Sequence, residues 1–412
     1  MERSQIDEKI MDRVRNTYEK CVPATEVLSL MPRAETIHLN RSDELAQLFL
    51  EAQIEAGTDQ GEKQKKSKER WRLQREAAKL LPNRRVGQCG RAIIDKMRNV
   101  TVFRSSDSGR AFFGNVKCCG SLWECPICAA RITEKKRKDL REGLDAWRDF
   151  GGRVFLLTVT IPHYFGNDTR QLCDQLLAAR KTMQNRKCWR EFRKRIGLQG
   201  SVRALEVTYG KNGAHVHCHI LLFCLPLEGT VSPCAADLLP SWQSACVSVG
   251  LPKPNEHGVD IRDGDYAASY VGKWGLDCEL TKSHVKRGVQ GGSTAWDLLR
   301  ASADGNQEAG RKFQEHAEAF FNRRQLVWSK GLRKLLGLEA EKTDEELAQE
   351  LTEAAAEIAT IGRSDWRRVL RYDARATVLI VAEKDGSDGL RAFLHNLAEF
   401  DSTRLRNQVW RN

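Results

Sequence analysis

The sequence predicts an α+β fold: an antiparallel sheet with helices on one side. Three observations carry this. Between residues 150 and 275, apolar runs of strand length alternate with amphipathic stretches of helical length. Two of the runs, Val202 to Tyr209 and His215 to Cys224, are joined by Gly210-Lys211-Asn212-Gly213, a hairpin turn in which Asn-Gly supplies left-handed backbone. A third run, Arg153 to His163, is rich in Val, Leu and Thr and reads as a strand ended by Pro162.

The other elements follow in order. Residues 1 to about 80 are highly charged, with helical patches at Asp43 to Ala56 and Glu69 to Leu81 and a polar linker at Gly57 to Ser67. Residues 86 to about 135 are cysteine-rich and short-stranded, and Lys135 to Phe150 is helical. Asp168 to Ile196 has the pattern of one long basic amphipathic helix. Pro233 to Gly250 is helical, Gly258 to Arg262 a strand and Asp265 to Trp274 a short helix. Leu298 to Leu336 is mostly helical with Gly337 as its stop, and Asp344 to Ile361 is helical. The expected organisation is a charged helical N-terminal region (1–80), a Cys-rich module (81–135), the sheet domain (136–300) and a helical C-terminal region (301–412).

Bulk properties narrow the function. No stretch approaches the ~20 continuous apolar residues of a membrane span. The opening Met1-Glu2-Arg3-Ser4-Gln5-Ile6-Asp7 lacks the apolar core of a secretory signal, so a cytoplasmic protein without a membrane partner is expected. The net charge of +12 favours a polyanionic partner, chiefly nucleic acid. The surplus is clustered: Arg180 to Arg195 holds eight Lys/Arg and one acid, and Gly61 to Arg85 holds ten and three. Thirteen cysteines in a long, signal-less chain point to metal or free thiols rather than disulfides.

The most informative stretch is His215-Val216-His217-Cys218-His219. Three of the nine histidines fall within five residues. In a strand, alternate residues share a face, so His215, His217 and His219 converge while Val216, Cys218 and Ile220 pack behind. Imidazole is the commonest metal ligand. Glu206 lies on the strand paired through the hairpin, with Leu205 and Val207 pointing the other way, so its carboxylate reaches the same point. The expected set is Glu206 with His217 and His219. His215 is a fourth ligand, a supporting group or a DNA contact, and the sequence does not choose between His215 and Glu206. A hard divalent cation there acts as a Lewis acid on a phosphoryl oxygen. On the helix at Asp265 to Trp274, Tyr266, Tyr270 and Lys273 fall at i, i+4 and i+7 on one face. Tyrosine is a competent covalent nucleophile once activated, and two on one face suit two sequential transesterifications.

The strand Phe155 to His163, the His215-His217-His219 run and Tyr270-Val271-Gly272-Lys273 occur in that order. The set resembles the three motifs of rolling-circle replication initiators, the HUH-type tyrosine endonucleases, and most closely the bacterial plasmid replication (Rep) proteins. The likeness extends through Arg203 to Thr208, Thr294 to Leu299 and Leu326 to Arg333, covering roughly residues 70 to 340. It implies a five-stranded antiparallel sheet of the ferredoxin-like, split βαβ type. It also implies Mg²⁺ or Mn²⁺ catalysis, nicking at a single-stranded or hairpin plasmid origin, and a 5′-phosphotyrosine on Tyr270. The free 3′-OH primes synthesis with the host helicase and polymerase. Some family members carry a glutamate four residues before the nucleophile. Here Tyr266 stands in that place, as in initiators with paired tyrosines.

Cys119-Gly120-Ser121-Leu122-Trp123-Glu124-Cys125-Pro126-Ile127-Cys128 resembles the cysteine segment of the same family. Four thiolates from two separated knuckles suit tetrahedral structural zinc, with Cys89, Cys119, Cys125 and Cys128 as ligands and Cys118 as a spare. In the basic run, Arg186, Lys187, Arg190 and Arg193 are expected to follow DNA phosphates, with Trp189 stacking on an exposed base. Two other functions fit the same features less well: a transposase or mobilisation relaxase using the same chemistry, and a zinc-containing DNA-binding regulator, which has no need of paired tyrosines. Oligomeric state is not legible.

Overall fold

The computed structural model describes residues 59–106, 109–226, 232–263, 292–349 and 355–409. The expected helices at Asp43 to Ala56 and Asp265 to Trp274 lie outside the described residues, and with the latter go Tyr266, Tyr270 and Lys273. Along the chain the elements are helix α1 (Asp59–Leu80), strands β1 (Val100–Ser105) and β2 (Ala111–Gly114), helix α2 (Pro126–Asp149), strand β3 (Arg153–Thr160), helices α3 (Thr169–Asn185) and α4 (Lys187–Arg195), strands β4 (Leu198–Gly210) and β5 (Gly213–Cys224), helix α5 (Leu239–Ser248), strand β6 (Val259–Arg262), helices α6 (Ala295–Ala303) and α7 (Gln307–Phe320), strand β7 (Leu326–Trp328), helices α8 (Leu332–Leu335) and α9 (Asp344–Gln349), strand β8 (Ala355–Ile361), and helices α10 (Arg363–Arg371) and α11 (Arg375–Val409, bent at Gly386).

The chain divides into two compact units. One holds residues 90–117 and the C-terminal segment, with a three-stranded antiparallel sheet in the order β2-β1-β8. Trp366 of α10 donates its indole N–H to the Arg91 carbonyl and meets Phe113 edge-on.

The other unit, residues 70–89 and 118–350, holds a five-stranded antiparallel sheet in the order β6-β3-β5-β4-β7. The histidine-bearing β5 is its central strand. Phe155, Leu157 and Val159 of β3, Leu205 of β4, and Val216, Cys218, Ile220 and Leu222 of β5 form one apolar face. Helix α3 covers it with Leu172, Cys173, Leu176, Ala179 and Met183, the spacing of one helical stripe. The Asp168 carboxylate starts α3 by accepting from the Gln171 N–H.

Helices cover both faces rather than one. Val154, Leu156, Leu221 and Phe223 make the second face apolar at one end, where Leu140, Leu144 and Trp147 of α2 and Leu332 of α8 pack on it. The unbroken run Ile220 to Cys224 is the sign of a strand buried on both sides. The other end of this second face carries the polar residues.

Four further expectations are corrected. The helix expected over Asp168 to Ile196 breaks at Arg186, whose backbone is extended (ψ 157°). Met183 and Trp189 are six residues apart, off the three-to-four spacing of a single face, and the break lets both be buried. Leu326 to Trp328 is a strand, not helix, because β4 offers a partner at Val202 to Ala204. Ala355 to Ile361 is likewise a strand, since pairing with β1 overrides the helical preference of its alanines. Residues 59–67, expected as a linker, are the start of α1.

Candidate metal centres and nucleic-acid site

The hairpin register brings the site together. Glu206 lies directly opposite His217, and His217 directly opposite Thr160 of β3. The next row is Ala204, His219, Thr158 and, on β6, Asp260. Opposed residues on an antiparallel sheet share a face, so Glu206 is a lateral neighbour of His217 and a diagonal one of His219. The Glu206 carboxylate stands 3.7 Å from His217 Nε2 and 3.6 Å from His219 Nε2. The turn that sets this register is Gly210 to Gly213, and its left-handed residue is Gly213 (φ 86°); Asn212 is not left-handed.

The imidazoles are pre-oriented. His217 Nδ1 lies 3.1 Å from the carbonyl of His215, which only accepts, so this nitrogen carries the proton. His219 Nδ1 lies 2.9 Å from Thr158 Oγ1. Both Nε2 atoms face Glu206; that of His217 carries its lone pair, and that of His219 does so when Thr158 Oγ1 accepts from Nδ1, the arrangement of metal-ligating histidine. Burial lowers the His219 pKa, which keeps the ring neutral and able to ligate. The three ligand atoms lie within 4.8 Å of one another. One carboxylate and two imidazoles fit a divalent cation with positions left open on the exposed side.

His215 sits outside this cluster. Its ring stacks on His217 at 4.8 Å and on His163, from the loop after β3, at 4.8 Å and 14°. Burial and the neighbouring histidines push it down to about 4, so it is neutral at pH 7.

The cysteines form a second cluster. Cys89 Sγ lies 3.5 Å from Cys128 Sγ and 3.6 Å from that of Cys125, and Cys119 Sγ lies 3.6 Å from Cys128 Sγ. A tetrahedron with Zn–S bonds of ~2.3 Å has edges of about 3.8 Å, so the four sulfurs have nearly the required shape. All four residues are buried. Thiol hydrogen bonds from Cys119, Cys125 and Cys89 lower the Cys128 pKa well below a thiol's ordinary value. Pro126 begins α2 directly after Cys125, placing Cys128 on its first turn. Cys118 stands apart, with Arg131 donating to its sulfur, and burial raises it to about 11.

The basic helix lies elsewhere. Trp189 and Phe192 of α4 are buried in the core under the opposite sheet face, so Trp189 (3% exposed) packs against Phe192 and is not open to a base. Lys187, Arg190 and Arg193 face solvent, while Arg186 donates to the Ser241 carbonyl. Helix α4 leads into Leu198, and from there β4 runs eight residues to Glu206, or about 26 Å.

Residues 111–227 match the family model Rep_1, described as "Replication protein". "Protein rep" of Streptomyces lividans is 27% identical over 322 residues, covering 61% of this chain and 70% of that protein. This chain is similar to the Rep replication proteins. "Neomycin resistance protein" of Streptomyces cyanogenus is 25% identical over 177 residues, covering 34% of this chain and 40% of that protein. No solved structure matches.

The Rep match takes in Cys119, Cys125, Cys128, Glu206, His217 and His219; Cys89 and Tyr270 lie beyond it. No described helix is long and apolar enough to cross a membrane. Sequence reasoning passed over Thr158, Asp260 and His163. The alternation Thr158, Thr160 at the end of an otherwise apolar strand was the available signal for the first, but Asp260 and His163 depend on strand pairing and a loop path that no local pattern encodes.

Proposed function

We propose that this protein is a plasmid rolling-circle replication initiator that nicks one DNA strand at the origin and later rejoins it. The observation that carries the reading is the Glu206 carboxylate facing two oriented Nε2 atoms on the central strand of a five-stranded antiparallel sheet, in a chain similar to replication proteins. This is the arrangement expected of an HUH endonuclease. A divalent cation, Mg²⁺ or Mn²⁺, supplies Lewis-acid polarisation of a phosphate oxygen when bound. Glu206, His217 and His219 hold it, and Thr158 together with the His215 carbonyl keeps the two rings aimed. The Tyr270 hydroxyl attacks the phosphorus, a tyrosine–phosphate ester forms, and the bond to the 3′ oxygen breaks. The departing oxygen takes a proton to become the 3′-OH from which a host polymerase extends, behind a host helicase. Lys273 offsets charge on the phosphate. The ester conserves the energy of the broken bond, so the reverse attack reseals a strand, and Tyr266 provides a second acceptor at termination. The four cysteines, leaving no open coordination position, hold a structural zinc.

The test is covalent attachment to a single-stranded origin oligonucleotide in Mg²⁺ or Mn²⁺. Wild type should form an adduct, Tyr270→Phe none, and Glu206→Ala and His219→Ala should cut the rate at least a hundredfold. Absence of any wild-type adduct would overturn the nicking reading; an adduct retained in Tyr270→Phe would overturn the choice of nucleophile.

A further inference from the structure

Two large aromatic side chains stand in solvent beside this centre. Tyr164 is 60% and Phe165 77% exposed, in the loop between β3 and α3. Their backbone crosses the hairpin end of the histidine face. Gly213 shares that face with His215 and His217, and a Cβ on it would lie 3.2 Å from the Tyr164 carbonyl oxygen and 3.6 Å from Phe165 Cα. The loop is braced at both ends. His163 stacks on His215, the Asn167 side chain accepts from the Tyr164 N–H, and the Asn167 N–H donates to the Tyr164 carbonyl. The aromatic pair is therefore set on a fixed backbone, four residues along β5 from His217, about 13 Å. Lys211, also exposed, lies at the tip of the adjoining hairpin.

Adjacent apolar side chains left in water at the rim of a site mark a surface that another molecule covers. Here the surface continues a centre suited to phosphate, and the exposed Lys211 lies two residues from the Gly213 that the loop crosses. Flat π-faces next to a cation match the chemistry of a strand with unpaired bases, where rings stack and the charge follows the backbone. A duplex hides its base faces and offers nothing to stack.

We propose that Tyr164 and Phe165 form a stacking platform for unpaired bases flanking the phosphate held at Glu206, His217 and His219, so that the protein selects single-stranded DNA there. This rests on the nicking reading for the identity of the neighbouring site.

The experiment uses the full-length Tyr270→Phe chain, in which attachment is blocked, and measures binding by fluorescence anisotropy. The probes are a labelled oligothymidylate and an abasic deoxyribose-phosphate oligomer of equal length and charge. The intact loop should prefer the oligothymidylate by about tenfold or more per stacked base. Tyr164→Ala/Phe165→Ala should erase that preference while leaving abasic binding unchanged, and Tyr164→Phe/Phe165→Tyr should retain it. A preference that survives the double alanine change overturns the proposal, as does an equal loss on both probes. The adduct assay with Tyr270 intact runs in parallel. An adduct with no base preference defeats the platform alone; no adduct defeats the nicking reading instead.

Discussion

Among the described histidines of the unit with the five-stranded sheet, His316 of α7 is the one that burial lowers furthest. It is 1% exposed, packed between Trp123, Phe313 and Phe320, with its Nδ1 2.7 Å from the Tyr209 hydroxyl. Burial raises the Tyr209 pKa, so its hydroxyl stays protonated and donates to Nδ1. Burial also lowers His316 to about 3, against 6.5 for a free histidine, so the ring is neutral when folded. With the folded value below the unfolded one, the unfolded chain takes up the proton first. Stability is whole above pH about 6.5, falls by up to ~1.4 kcal/mol per pH unit below it, and has lost roughly 5 kcal/mol near pH 3. From pH 7 to pH 5 the loss is about 2 kcal/mol, a large share of the ~5–15 kcal/mol that holds a domain folded. His215 and His219, also lowered, act in the same direction, so the informative quantity is a difference. His316→Gln removes the titration and retains an acceptor for Tyr209. Urea unfolding followed by tryptophan fluorescence should show the wild type's stability advantage over His316→Gln shrinking by about 2 kcal/mol between pH 7 and pH 5. Parallel pH dependences in the two proteins would refute the reasoning.

Cys128→Ser should reduce bound zinc from one per chain to none by metal analysis and cost several of the ~10–16 kcal/mol that structural zinc typically contributes; zinc retained at full occupancy would rule out this ligand set. Thr158→Val, which removes the partner of His219 Nδ1 while keeping a β-branched side chain, should weaken Mn²⁺ binding by about 10- to 100-fold in titration calorimetry. A change under about twofold would mean that Thr158 does not orient the ring. Gly213→Ala combines a left-handed backbone with a 3.2 Å approach to the Tyr164 carbonyl. It should cost about 1–2 kcal/mol and lower the melting temperature, where an unchanged or higher value would contradict the strain.

What was legible in the sequence was local. His217, His219 and Glu206 could be paired because a strand alternates with period two and a short Gly-rich turn sets the register of the strands it joins. The separation of polar His217 from apolar Val216 and Cys218 follows from the same alternation. The cysteine set was legible because Cys125 and Cys128 are three residues apart and Cys119 is close by. The strands β7 and β8 were not legible. Leu326 to Trp328 and Ala355 to Ile361 hold their shape through partners more than a hundred residues away, and local preference in such segments yields to pairing.

By itself, then, the sequence determined that Glu206 and the three histidines share one face across a single hairpin, and it left Glu206 and His215 as alternatives beside His217 and His219. Tertiary structure decided that Glu206, and not His215, joins the two histidines, because Nε2 direction depends on which groups engage Nδ1. It decided that helices cover both sheet faces, that Trp189 is core, and that the basic surface of α4 lies under the face opposite the histidines. It also laid the backbone of Tyr164 and Phe165 across Gly213. The physical reason is common to all of these: a turn and an alternation fix geometry over a few residues, whereas the face a helix covers and the path a loop takes are settled by which distant apolar surfaces are buried together.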